Sequence, residues 1–144
     1  MNAQPAAAAP HTIPMPLTLQ HYPAAPVLRP WVNGYFSVEG PIDPHALQAA
    51  AVGETVLLFD LGAHPLAWML RPGRLLEHAF VGPLFGALLQ PGVAERLTQG
   101  DPDGAFSTQR LLLQLRAAQS MAFRIVALDR YLIARLVAPL GIGS

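Results

Sequence analysis

Val27-Leu28-Arg29-Pro30-Trp31-Val32-Asn33-Gly34-Tyr35-Phe36-Ser37-Val38-Glu39-Gly40, followed after a gap by Glu54-Thr55-Val56-Leu57-Leu58-Phe59-Asp60-Leu61-Gly62, decides how this chain is read. Both segments carry β-branched and aromatic residues over about six to nine positions and are bounded by Pro or Gly, so both read as strands. Alternation places Trp31, Asn33, Tyr35, Ser37 and Glu39 on one side of the first strand, and Val32, Gly34, Phe36 and Val38 on the other. The second side is plain core. The first, with two aromatics that carry polar tips, reads either as the rim of the core or as the wall of a wet pocket. Residues 54–61 alternate little, as expected of a strand covered on both faces.

Working outward, Leu17–Tyr22 alternates as a short edge strand ended by Pro23 and Pro26. Before it, Met1–Pro16 is rich in Ala and Pro without a periodic face, which predicts a disordered leader. Pro44 opens one or two helical turns in the connection between the two strands. Leu66–Leu70 and Leu75–Val81 flank Arg71-Pro72-Gly73-Arg74, the pattern of a hairpin. Gly82–Leu89 fits either a last strand or a buried helical piece, and Pro91–Leu97 a short helix. Asp60, near a strand end, is expected to hydrogen-bond a turn.

Ser107–Leu136 is the most periodic segment, with Ser107 as candidate N-cap. At about 100° per residue, Leu111, Leu115, Ala118, Ala122, Val126, Ile133 and Leu136 share one face. Arg110, Arg116, Arg124, Arg130 and Arg135 gather opposite, as a solvated face or a set of phosphate contacts. Gln119-Ser120 is the expected break, giving two helices. Asp129 projects into the apolar face, either to pair with an Arg from elsewhere or to mark a helix–helix contact. Pro139 and Gly141 stop the helix. The pattern predicts an α+β chain: leader 1–16, β-rich region 17–104, helical region 105–138 and tail 139–144. The stripe Leu111, Leu115, Ala122, Val126, Ile133 and Leu136 is the candidate surface for pairing with a second copy.

Composition narrows the chemistry. With no Cys, disulfides, thiolate metal sites and thiol nucleophiles are excluded, and the absence of Lys removes Schiff-base chemistry and a phosphate-loop lysine. None of His11, His21, His45, His64 and His78 forms a metal-ligand spacing. No Ser lies in a nucleophile elbow. Glu54 and Asp60 are about 20 Å apart along a strand, too far for a glycosidase pair. The expectation is therefore no catalytic residues, no metal and no cofactor. An apolar fraction of 52% with 12% charge is greasy for a monomer and suggests a partner surface. The N-terminus carries no basic or apolar targeting segment, and the longest apolar run, Ala79–Leu89, is too short to span a bilayer, so a cytoplasmic location is expected.

The order of short motifs resembles a known family. Pro23-x-x-x-Val27-Leu28-Arg29-Pro30-Trp31-Val32-x-x-Tyr35-Phe36, then a strand ending Phe59-Asp60-Leu61-Gly62, then Val81-Gly82-Pro83, is similar to the N-terminal sensor domain of AraC-type bacterial transcription regulators. The resemblance covers most of residues 17–136. It implies a small antiparallel cupin-like β-barrel, or an open version of it, followed by C-terminal helices that pair subunits. It implies a small apolar or aromatic effector against Trp31, Tyr35, Phe59 and Trp68. Two departures stand out. Val52-Gly53-Glu54 replaces the usual Pro-Asp-Gly, and the hairpin after Pro83 is shortened before Gln90-Pro91-Gly92, which leaves an open sheet as the alternative to a closed barrel. The chain stops before any helix-turn-helix, so it is not expected to read DNA by itself. The rival reading is a stand-alone interaction protein that pairs with full-length regulators; a barrel enzyme ranks third.

Overall fold

The computed structural model describes residues 19–39, 43, 45–47, 53–62, 66–73, 80, 82–99 and 105–141, without the side chains of 105–107. The expected leader 1–16 and the second arm of the expected hairpin, up to residue 79, lie outside the described residues. Five strands form the sheet: β1 (Gln20–Tyr22), β2 (Val32–Val38), β3 (Thr55–Asp60), β4 (Leu66–Leu70) and β5 (Leu84–Leu89). Their order is β1-β2-β5-β3-β4, every pair is antiparallel, and the sheet is open. The ambiguous segment 82–89 is thus a strand, and the central one. Paired on both sides and buried at all six positions, β5 has the continuous apolar run that such a place demands.

One face of the sheet is covered by helices. These are α1 (Val93–Thr98), α2 (Ala105–Ala117) and α3 (Met121–Leu132), the last running on through a π-helical turn (Ile133–Val137) and a 3-10 turn (Ala138–Leu140). Tyr35, Leu57, Phe59, Phe85, Ala87 and Leu89 from the sheet meet Leu111, Leu112, Leu115, Leu128, Leu132 and Leu136 in one core. On the opposite face Phe36, Val38, Val56, Leu58, Leu84 and Leu88 pack with Leu47, Leu70 and Phe80 in a second core. Fully burying each such Leu or Phe contributes about 1.5–3 kcal/mol, so the two layers carry most of the stability.

Strict alternation fails in β2. Val32 faces Leu89 while Gly34 faces Leu88, so Asn33 is an extra residue and the strand bulges. The bulge turns Val32 onto the helix-covered face with Tyr35, not onto the face of Phe36 and Val38 as the alternation had it. Gly34 is required there: its φ is +150°, and a Cβ would sit 2.9 Å from the Tyr22 carbonyl oxygen of the neighbouring strand. Gly86 has a different reason. Its missing side chain leaves room for the Phe36 ring, whose atoms would lie 2.5 Å from a Cβ.

The expected break between the helices is present. Ser120 caps α3, its Oγ accepting from the Phe123 N–H at 3.0 Å. Arg124 Nε donates to the Ala118 carbonyl at 3.0 Å just past the end of α2. Ser107, expected at the N-cap, lies inside α2, which begins at Ala105. Gly141, at φ +71°, donates its N–H to Ala138 and closes the last turn, where Pro139 and Gly141 were expected to stop the helix.

Candidate functional site

Of the residues that the resemblance assigns to an effector, Trp31, Tyr35 and Phe59 lie in or against one core and Trp68 lies on the other face. Tyr35 and Phe59 are fully buried in the helix-side core, Tyr35 stacked on Phe85 with ring centroids 6.0 Å apart. Trp31 is half-buried at the margin of that core. Trp68 lies on the other face, edge-on to Phe80 at 6.3 Å. The register explains the separation: Trp68 pairs with Leu58 and Ala67 with Phe59, and directly opposed residues share a face. Trp31, Tyr35 and Phe59 thus belong to the helix-side core and its margin, and Trp68 to the opposite face.

The apolar stripe also divides. Leu111, Leu115 and Leu136 are buried against the sheet, and Ile133 is half-buried beside them. Ala122 and Val126 are exposed. The break at 118–120 is the cause, because a change of direction between α2 and α3 ends the phase of a single helical wheel. The arginines divide as well. Arg110, Arg116 and Arg130 are exposed, whereas half-buried Arg135 donates to the Leu97 carbonyl at 3.0 Å and Arg124 to that of Ala118. These two satisfy carbonyls at helix C-terminal ends and do not belong to a solvated face.

Asp129 faces inward, but its partner is not an Arg. The Tyr35 hydroxyl donates to Asp129 Oδ1, and the Ala25 N–H also donates to the carboxylate. One side chain of α3 is therefore bonded to β2 and to the segment just before it. Burial pushes the Asp129 carboxyl above its usual range, against the lowering by the Tyr35 and Ala25 donors. Burial and then the neighbouring carboxylate raise the Tyr35 phenol far above its usual value, so it stays a donor. Asp60, as expected, accepts from the Gly62 N–H at 2.9 Å in the turn after β3.

With its inner face held in this way, α3 leaves its outer side to a groove of about 810 Å³ between the two helices. Leu111, Gln114 and Ala118 line it from α2 and the turn, and Phe123, Val126 and Ala127 from α3. Arg110, Arg130 and Tyr131 lie toward its other end, where the Thr108 and Tyr131 hydroxyls approach to 3.4 Å. Phe123 and Val126 are 56% and 46% exposed, which is unusual for side chains of this size grouped on one surface. Among the described residues every charged group lining the groove is an arginine. Sequence reasoning placed Arg110 and Arg130 opposite the stripe and gave Phe123 no role. The only signal for Phe123 was an aromatic lying off the stripe.

A smaller cleft of about 360 Å³, between the β1–β2 edge and the start of α3, mixes Gln20, Ser37, Glu39 and Arg124 with apolar walls. At the bulge, Asn33 donates to Glu54 and accepts from Gln90, a polar knot on the surface. Among the described residues no group of three His, Asp or Glu could hold a metal ion, and no helix is long and apolar enough to cross a membrane. No family model, curated protein or solved structure matches this chain.

Proposed function

We propose that this chain is the effector-sensing and pairing module of an AraC-type transcription regulator, with its small-molecule seat in the groove between α2 and α3 and not within the sheet. The order of elements supports the family reading: an antiparallel sheet comes first and a pair of helices follows, as the resemblance implies. The observation that carries the seat is the exposure of Phe123 and Val126 beside Leu111 in a concave, mainly apolar groove. Tyr35 and Phe59, by contrast, are fully buried in the core that the helices cover. Pairing of subunits falls to the exposed part of the stripe outside the groove, at Ala122.

The test is binding of the neutral dye Nile red, whose emission rises in an apolar site. Phe123→Ala combined with Val126→Ser is expected to remove most of the rise while leaving circular dichroism unchanged. A full response in the double variant would place the seat elsewhere. Sedimentation of the same variant reports whether pairing extends into the groove.

A further inference from the structure

We propose that the cleft between the β1–β2 edge and the start of α3 binds a free α-amino acid with an apolar side chain, at a site separate from the groove between α2 and α3. Two charges of opposite sign, Glu39 and Arg124, line this cleft, and among the described residues they form no ion pair with each other. Arg124 gives its Nε–H to the Ala118 carbonyl, and the terminal nitrogens of its guanidinium remain as donors. The bond from Tyr35 to Asp129 fixes where this side chain stands, because it seats α3 along β2. Five residues back along α3, from Asp129 to Arg124, cover about 7.5 Å at the helical rise. Two residues on along β2, from Tyr35 to Ser37, cover about 6.6 Å at the strand rise. Arg124 therefore comes over Ser37, with Met121 and Glu39 next beyond, and all four line the cleft.

The neutral polar groups are sorted by one hydroxyl. Gln20 stands opposite Ser37 across the two strands. Tyr22 donates its hydroxyl hydrogen to Gln20 Oε1 at 2.7 Å, and its oxygen lies 3.1 Å from Ser37 Oγ. With that one hydrogen given to Gln20, the Tyr22 oxygen accepts from Ser37. The Gln20 amide is thus turned so that its NH2 group is left to donate, and Ser37 Oγ keeps lone pairs to accept. Gln20 and Arg124 are the donors of the cleft; Ser37 and Glu39 are the acceptors. Val38, Leu84 and Met121 supply apolar wall. An α-carboxylate would meet Arg124 and Gln20, an α-ammonium Glu39 and Ser37, and an apolar side chain the wall. The guanidinium fork suits a carboxylate. A plain anion would face Glu39 and a plain amine would face Arg124, so a molecule carrying both charges is preferred to either. The volume of about 360 Å³ fits a molecule of this size, lying near the lower end of the roughly 300–1,000 Å³ found for ligand clefts.

NMR titration of the full chain at neutral pH tests this with three probes: L-leucine, 4-methylpentanoate, which lacks the amine, and L-leucinamide, which lacks the carboxylate. Leucine is expected to shift the amide signals of Ser37, Glu39 and Arg124. It should bind about ten-fold more tightly than either analogue, the size expected of one hydrogen bond to a charged group. Glu39→Gln should weaken leucine by about that factor and leave 4-methylpentanoate unchanged. Arg124→Lys, which keeps the charge without the fork, should weaken leucine and 4-methylpentanoate and leave leucinamide unchanged, with circular dichroism confirming the fold. If that variant unfolds through loss of the bond to Ala118, Glu39→Gln decides alone, since Glu39 is exposed and outside both cores. Phe123→Ala with Val126→Ser should leave leucine binding intact; its loss there would move the amino acid to the helical groove and overturn this proposal. So would equal affinity of the three probes, leucine binding indifferent to Glu39→Gln, or no shift at about 10 mM leucine, a concentration that nearly saturates a site of millimolar Kd.

Discussion

Removing the hydroxyl that links sheet and helix gives the sharpest test of how this fold is held. In Tyr35→Phe the ring remains in the core against Phe85, so packing is preserved and only the bond to Asp129 is lost. A hydrogen bond to a charged group contributes about 1.5–3 kcal/mol. Asp129 is half-exposed and keeps its Ala25 donor, so water replaces part of the loss. The expected cost at neutral pH is therefore about 1–2 kcal/mol, which for a chain of this size lowers Tm by roughly 2–8 °C. The pH dependence adds a second reading. Burial raises the carboxyl of Asp129 above its unfolded value of about 3.9, so the folded state binds more protons than the unfolded state across that window. The stability this group contributes is present below the unfolded value and is lost as pH rises through the folded one. The Tyr35 donor opposes the shift, so its removal should move the Asp129 titration further up. The gap between wild type and Tyr35→Phe should then be widest at neutral pH and shrink on acidification. Urea unfolding at several pH values, with the Asp129 carboxyl followed by NMR, measures both. A variant within about 0.3 kcal/mol of wild type at neutral pH, or a gap that grows toward acid, would refute the reasoning, since errors of that size are the limit of such measurements.

Two other outcomes follow from the backbone. Gly34→Ala should destabilise by about 1–3 kcal/mol, because the new Cβ meets the Tyr22 carbonyl at 2.9 Å in a conformation that L residues avoid; urea titration checks it, and a neutral result would mean that the bulge relaxes freely. Ser120→Ala removes the acceptor for the Phe123 N–H and should cost about 1 kcal/mol, whereas Ser120→Asp should retain most of the cap.

Much of the local architecture was legible in the residues themselves. Thr55–Asp60 and the core of 31–39 are strands because β-branched and aromatic runs favour an extended, half-buried chain. The break at Gln119-Ser120 was readable from the sequence, while the cap that Ser120 supplies there came from the structure. The turn role of Asp60 was equally local, since its carboxylate reaches an N–H two residues on. What tertiary structure alone decided depends on contacts between residues distant in sequence. The last strand, β5, enters between β2 and β3, and no local pattern specifies that insertion. The single extra residue at Asn33 reverses the face of Val32, and whether a strand bulges depends on its partner's register. Trp68 was separated from Phe59 for the same reason, because register assigns faces. Asp129 found Tyr35 across 94 residues of chain, and the Arg110–Phe123 groove exists only because two helices docked on a sheet leave their outer sides facing each other. Pattern along a chain reports which surfaces are apolar; which surfaces meet is settled by the packing of the whole.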